Sequence, residues 1–242
     1  MITIGILAAN LIAACILRSR SMDLNDLLIL EGCTFLGAFT GAKMLFLLLS
    51  FRQIDIRRIA DPVYLNQLML SGFVFYGGLA GGLCAVMLAG RSFQISWRKY
   101  LHALLFLVPF IHGFGRIGCF LAGCCYGISY EGLLSVTFPP GSFAPSGVPL
   151  FPVQLLEAFL LFSLSGFLCF LSRKKEAADP LPVYLSIYAI LRFFLEFLRG
   201  DAERGIFFGM SASQWLSLAL LTAVLPYGLR SLFHAHSYTN TR

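Results

Sequence analysis

Residues 151–171 read FPVQLLEAFLLFSLSGFLCFL, an apolar run in which Glu157 is the single charge. A helix rises 1.5 Å per residue, so about 20 residues cover the hydrocarbon layer of a bilayer. The run therefore reads as a membrane-spanning helix, with Pro152 at its first turn where a missing N–H costs little. Outward from it, further runs lie at about Ile2–Leu17, Leu27–Ser50, Leu68–Ala89, Leu101–Leu121, Leu181–Leu198 and Gly209–Leu229, giving seven spans in all. The expectation is an all-α, polytopic membrane protein, with the whole chain (1–242) as one integral-membrane domain.

Composition agrees. Of the 242 residues, 58% are apolar and 12% charged, against roughly 25% charged in an ordinary soluble domain. That excludes a soluble enzyme. A mean hydropathy of +0.80 and 24 phenylalanines exclude a disordered chain, which needs low hydrophobicity. The net charge of +6 would suggest nucleic acid in a soluble protein, but here the basic residues follow topology, and no nucleic-acid partner is expected.

Arg18 and Arg20 follow the first apolar run, the reverse of the charge order in a cleaved signal peptide, so that run reads as a retained helix. Under a seven-span count, Arg18, Arg20, Arg91, Arg98, Lys99, Arg173, Lys174, Lys175, Arg230 and Arg242 share one side, and Arg52, Arg57, Arg58 and Arg204 the other. Lys and Arg accumulate on the cytoplasmic side. The N-terminus is expected outside and the C-terminus inside. The longest outer segment, Ala122–Leu150, is rich in Gly, Pro and Ser and reads as a cover over an outward-facing site.

Lys43, Arg116, Arg192 and Arg199 remain outside the loops. A charge at the centre of a membrane helix costs about 2.5–3.5 kcal/mol on insertion scales, so each needs a partner, a polar cavity or the interface. In RFFLEFLRGD (192–201), a continuous helix would put Arg192, Glu196 and Arg199 on one stripe. Two cations and one anion leave a positive charge that suits an anionic ligand, unless Arg199 snorkels to the surface. His112, Arg116 and Cys119 stand at i, i+4 and i+7 among glycines that include Gly127. A guanidinium with room around it binds phosphate through paired hydrogen bonds. Gly77 with Gly81 and Gly78 with Gly82, after Tyr76, and Gly37 with Gly41, before Lys43, carry small-xxx-small spacing, which by itself means close helix packing. Gln154 and Glu157 open the helix after Pro152, where Glu157 is either a first-turn acid on the helix dipole or a site residue. Cys119, Cys124 and Cys125 lack the paired CxxC spacing of structural zinc sites and read as small residues packed among glycines, with a metal site, a disulfide and a reactive thiol as the alternatives.

Six stretches, taken in order, resemble the prolipoprotein diacylglyceryl transferase family: GAKMLFLLL (41–49), SGFVFYGGLAGG (71–82), GRIGCFLAGCCYG (115–127), GVPLFPVQLLEAF (147–159), RFFLEFLRGD (192–201) and GMSASQWLSL (209–218). The resemblance implies a multi-pass protein of the bacterial cytoplasmic (inner) membrane, with seven helices and the N-terminus outside. It implies transfer of the diacylglyceryl group of phosphatidylglycerol to the lipobox cysteine thiol in the signal peptide of a preprolipoprotein. Glycerol phosphate leaves, and neither metal nor cofactor takes part. Catalytic roles fall to Arg116, Arg192, Glu196 and Tyr76. Substrate binding falls to Lys43, Gly77, Gly78, His112, Cys119, Cys124, Gly127, Gln154, Glu157 and Arg199.

The chain departs from the family pattern where proton handling is concerned. Tyr76 stands in place of a histidine, and a phenol with an ordinary pKa near 10 is a poor base at neutral pH. Cys119, Ala122 and Cys124 replace Asn, Asn and Glu, Phe151 replaces a histidine, and Lys43 replaces an arginine. Two readings follow: a divergent transferase, or a paralogue that binds anionic phospholipid or modifies another acceptor. A transporter of broken helices would require inverted repeats, which the sequence lacks.

Overall fold

The computed structural model describes residues 1–51, 54–58, 60–70, 72–173, 179–200 and 206–239. Arg52, Lys174, Lys175, Arg204 and Arg242, which carry part of the loop-charge reading, lie outside the described residues. The elements are helices α1 (Ile2–Ser19), α2 (Leu24–Leu49), α3 (Pro62–Leu70), α4 (Phe75–Ser92), α5 (Trp97–Leu104), α6 (Leu107–Ala122), α7 (Val153–Arg173), α8 (Pro180–Leu195) and α9 (Ala212–Thr239). Between them lie two short ladders, β1 (Val136–Thr137) with β2 (Pro149–Leu150), and β3 (Ile206–Phe207) with β4 (Met210–Ser211). Among the described residues, four stretches are long and apolar enough to cross a membrane, Ile2–Ser19, Leu24–Leu49, Val153–Arg173 and Pro180–Leu198, and up to six do so if two bent helix pairs each make one span. The protein is all-helical in its architecture and polytopic.

Two of the expected spans are not continuous. The run Leu68–Ala89 is broken between α3 and α4 by a 79° bend. Gly72 has a left-handed φ of +67° there, and Val74 is extended and donates its N–H to Ala42 O at 3.2 Å. The run Leu101–Leu121 bends by 51° between α5 and α6. The cause is Pro109, which has no N–H to donate to Leu105 O and whose ring would collide with that carbonyl in a straight helix. Val108 N bonds Leu105 O instead at 3.0 Å, and Ser165 Oγ of α7 donates to Phe106 O at 2.8 Å. A third difference concerns the stripe 192–199. Helix α8 stops at Leu195, Glu196–Leu198 tighten into a 3-10 turn, and Arg199 is extended (φ −91°, ψ 135°). Arg199 therefore leaves the helix face that carries Arg192 and Glu196.

Backbone contacts divide the chain into two compact units, Leu17–Tyr100 and Met1–Ile16 with Leu101–Arg242. In the first, Asp23 caps α2 by accepting Asn25 N at 2.8 Å, and α2 packs on α4 backbone to backbone. A Cβ built on Gly37 would lie 2.6 Å from Gly81 O, and one on Gly41 would lie 2.9 Å from Gly81 Cα. The small-xxx-small reading thus holds for Gly37, Gly41, Gly77 and Gly81, whose missing side chains set the interhelical distance. The second unit is built on α6, α7, α8 and α9. The core of α7 and α8 is apolar and dense, with Leu161, Leu168, Val183, Tyr184 and Ala189 nearly inaccessible. Asp179 caps α8, accepting Leu181 N at 3.1 Å just before Pro180 at the first helical position.

The segment between α6 and α7 is a folded cap. Val136 pairs with Leu150 and Thr137 with Pro149. Phe138, Ala144 and Leu150 are buried among Phe120, Tyr126, Val136 and Val148. The cap is clipped to the chain after α8: Ile128 N donates to Leu198 O and Gly200 N to Tyr126 O, each at 3.0 Å. Gly127 sits inside this clip because a side chain there would meet Phe151 O, and Leu198 O 3.0 Å away.

Candidate active site

Three helices of the second unit bring buried charges together. Helix α6 carries His112, Arg116 and Cys119 on successive turns, as the spacing predicts. Helix α7 opens with Gln154 and Glu157, both almost fully buried. Glu157 Oε1 lies 3.0 Å from Arg116 Nε, with side-chain exposures of 3% and 13%. Glu157 therefore lies beyond the first turn of α7 and pairs with Arg116, a partner the sequence did not suggest. Gln154 Nε2 donates to Cys124 O at 2.9 Å and anchors the start of the cap.

Helix α8 supplies the second pair. Arg192 Nη2 and Glu196 Oε2 are 2.6 Å apart, both nearly inaccessible. The same Nη2 donates to Ser213 Oγ at 3.2 Å, in the first turn of α9. That turn is held by a reciprocal pair: Ser211 N donates to Gln214 Oε1 at 2.9 Å and Gln214 N to Ser211 Oγ at 3.2 Å. This is the S-x-x-Q capping box.

The two pairs share a setting. A narrow crevice between α7 and α8, too tight for a water molecule, is lined by Glu157, Tyr188 and Arg192 among leucines of both helices. The His112 ring lies 5.8 Å from the Tyr188 ring, which is 5.9 Å from that of Tyr184. Both guanidiniums lie within electrostatic range of His112. Arg116, Arg192 and Arg199 number three cations against the two anions Glu157 and Glu196, so these five residues keep one positive charge in excess. Arg192 Nη1 is buried with no hydrogen-bond acceptor among the described residues.

Arg199 forms an isolated bridge with Gly127 and hydrogen-bonds the Cys125 thiol. The thiols of Cys119, Cys124 and Cys125 lie within 4.8 Å of one another. This juxtaposition is more than small residues packed among glycines. The hydrogen bond with Cys119, with Arg199 and Arg116 nearby, pulls the Cys125 thiol below its usual range, whereas burial pushes Cys124 up.

The remaining expected site residues belong to the unit Leu17–Tyr100. Lys43 is buried; its Nζ donates to Leu68 O and, at 3.5 Å, to Gly72 O, and lies 4.9 and 5.0 Å from the ring centroids of Phe46 and Phe73. The ammonium thereby satisfies carbonyls at the C-terminal end of α3. Tyr76 is half-buried in the first turn of α4, its ring 6.4 Å from that of Phe75. Gly77 packs on Gly41 O and Leu45, and Gly78 lies 3.3 Å from Ala38 O by its built Cβ. Sequence reasoning missed Tyr188 and Ser213. The capping box around Ser213 was the available signal for one, and the i−4 position of Tyr188 relative to Arg192 for the other.

The description "Prolipoprotein diacylglyceryl transferase" matches residues 1–228. The chain is 34% identical over 237 residues to phosphatidylglycerol–prolipoprotein diacylglyceryl transferase 2 of Clostridium perfringens, covering 96% of this chain and 90% of that one. It is 35% identical over 219 residues to the phosphatidylglycerol–prolipoprotein diacylglyceryl transferase of Clostridium tetani, covering 90% and 86%. A relative so named from Mannheimia succiniciproducens is 30% identical over 205 residues, covering 81% and 75%. On these matches, the chain belongs to the prolipoprotein diacylglyceryl transferase family.

Proposed function

We propose that the protein transfers the diacylglyceryl group of phosphatidylglycerol to the lipobox cysteine of a prolipoprotein signal peptide, as the names of its relatives describe for them. The observation that carries this reading is the pair of buried arginines in one unit, Arg116 on Glu157 and Arg192 on Glu196, with an Arg192 N–H that still has no acceptor among the described residues. A buried donor left unmade costs about 1–3 kcal/mol, which a phosphate oxygen would offset. The acyl chains lie between helices while the head group meets the arginines.

In this mechanism the acceptor sulfur, as thiolate, forms a bond to a glycerol carbon of the lipid. The carbon–oxygen bond to phosphate breaks, and the electron pair leaves on glycerol phosphate. Arg116 and Arg192 meet the developing negative charge. Glu157 and Glu196 hold the two guanidiniums in place, and Arg199 assists at the head-group level. His112, Gln154, Gly127, Cys119 and Cys124 shape the head-group end, and Lys43, Tyr76, Gly77 and Gly78 complete the assignment inherited from the family resemblance. The protein crosses the bacterial inner membrane seven times, with its N-terminus outside; the loop-charge asymmetry supports this orientation.

The test is direct. Purified protein, phosphatidylglycerol vesicles and a lipobox peptide are incubated, and the thioether-linked diacylglyceryl peptide is sought by mass spectrometry. The expected result is an adduct that disappears with Arg192→Ala. Absence of adduct beside an active relative overturns the reading.

A further inference from the structure

The cysteine cluster is assembled by the end of α6. Gly123 takes a left-handed φ of 72°, Gly123 N bonds Phe120 O, and Cys124 N bonds Cys119 O, each at 3.1 Å. This is a Schellman ending, which folds the second residue past the helix back over its last turn. Here the residues so apposed are Cys124 and Cys119. Cys125 follows with a left-handed φ of 56°, a conformation that costs a non-glycine residue about 1–2 kcal/mol. It brings its thiol to the same side, within 4.8 Å of the other two sulfurs. Gln154 fixes the loop from α7 through Cys124 O.

Three sulfurs within 4.8 Å are close to the demand of a metal. Zinc–thiolate bonds of about 2.3 Å put sulfurs roughly 3.8–4.0 Å apart in trigonal or tetrahedral geometry, so closing the site takes small side-chain rotations. Thiolates select soft cations of the zinc class over magnesium or calcium. Charge also balances: three thiolates and a divalent cation sum to one negative charge, and Arg199 on Cys125 supplies the counter-charge.

We propose that Cys119, Cys124 and Cys125 form a three-thiolate site for a zinc-class divalent cation. A thiol that coordinates zinc gives up its proton, here to solvent, and three protein ligands leave the fourth tetrahedral position to water.

The experiment uses the full chain in lipid nanodiscs, purified under reductant, stripped with chelator and titrated with Cd2+ and Zn2+. One equivalent binds, with a sulfur-to-cadmium charge-transfer band in the ultraviolet. Cys119→Ser, Cys124→Ser or Cys125→Ser each weakens binding at least tenfold. A variant with Cys15, Cys33, Cys84 and Cys169 all changed to Ala binds as the parent does, which separates the site from general thiol content. Failure of the parent to bind an equivalent, or a charge-transfer band that survives in the triple serine variant, overturns the site.

Discussion

Replacing Glu157 by Gln keeps the shape of the side chain and removes its charge, leaving Arg116 as an unpaired cation in a mostly buried position. The carboxylate is 3.0 Å from Arg116 Nε, with side-chain exposures of 3% and 13%, so solvent screens the pair little. Breaking a buried pair by removing one partner costs about 3–5 kcal/mol. The lower end applies because Arg116 keeps some contact with its surroundings. For a chain of this size about 3 kcal/mol corresponds to a fall in Tm of roughly 6–12 °C. Thermal unfolding in detergent micelles, followed by the fluorescence of Trp97 and Trp215, reads this directly. The decisive comparison is a cycle of Glu157→Leu, Arg116→Met and the double variant Arg116→Met/Glu157→Leu. Removing both charges relieves the penalty, so the double variant melts well above the sum of the singles, with a coupling of about 2–3 kcal/mol. The double variant is nonetheless inactive in transfer, because the phosphate has lost one of its two guanidiniums. A double variant whose loss equals the sum of the single losses refutes the ion pair as the reason for Glu157.

Other perturbations probe separate parts of the argument. Arg192→Lys keeps the charge but loses the fork that reaches Glu196, Ser213 and the ligand together; initial-rate assays are expected to show transfer reduced about 100-fold, and near-wild-type rates would leave a point charge as sufficient. Gly41→Val drives side-chain atoms into the α4 backbone and lowers stability by about 2 kcal/mol or more, whereas Gly78→Ala, whose Cβ would lie 3.3 Å from Ala38 O and needs a shift of only tenths of an ångström, stays within about 1 kcal/mol; equal losses in melting experiments would disprove the close-approach geometry. Because its neighbours lower the Cys125 pKa and burial raises that of Cys124, the Cys125 thiolate persists as pH falls. Iodoacetamide at pH 6.5, read by peptide mass spectrometry, should label Cys125 about tenfold faster than Cys124, and the opposite order would contradict the hydrogen bond from Cys119.

What the sequence made legible follows from periodicity and cost. The long apolar runs around α1, α2, α7 and α8 stood out because nothing but a bilayer rewards such stretches. Arg192 and Glu196 were paired from an i, i+4 spacing within one helix. Arg116 was singled out by its cost, but its partner Glu157 lies on another helix, and no local rule joins residues so far apart in the chain. The bends were hidden because hydropathy averages over them. Pro109 breaks its span through one carbonyl, and Gly72 through one backbone angle. Arg199 was misplaced because the helical stripe was extended past Leu195, where the chain tightens and then straightens to pair with Gly127. The meeting of Cys119 with Cys124 was written in the glycine between them, a helix-ending signal that a search for metal-ligand spacing overlooks.

The clip between the cap and the chain after α8 has a further consequence. Its bonds run from Ile128 N to Leu198 O and from Gly200 N to Tyr126 O, peptide group to peptide group. Replacement of the side chains at 124 and 125 therefore leaves the tether in place, provided Gly127 and Gly200 keep the backbones in contact. Cys124 and Cys125 are free to change their chemistry, thiol for amide or carboxylate, while Arg199 is delivered to the same spot by a hinge made of main chain.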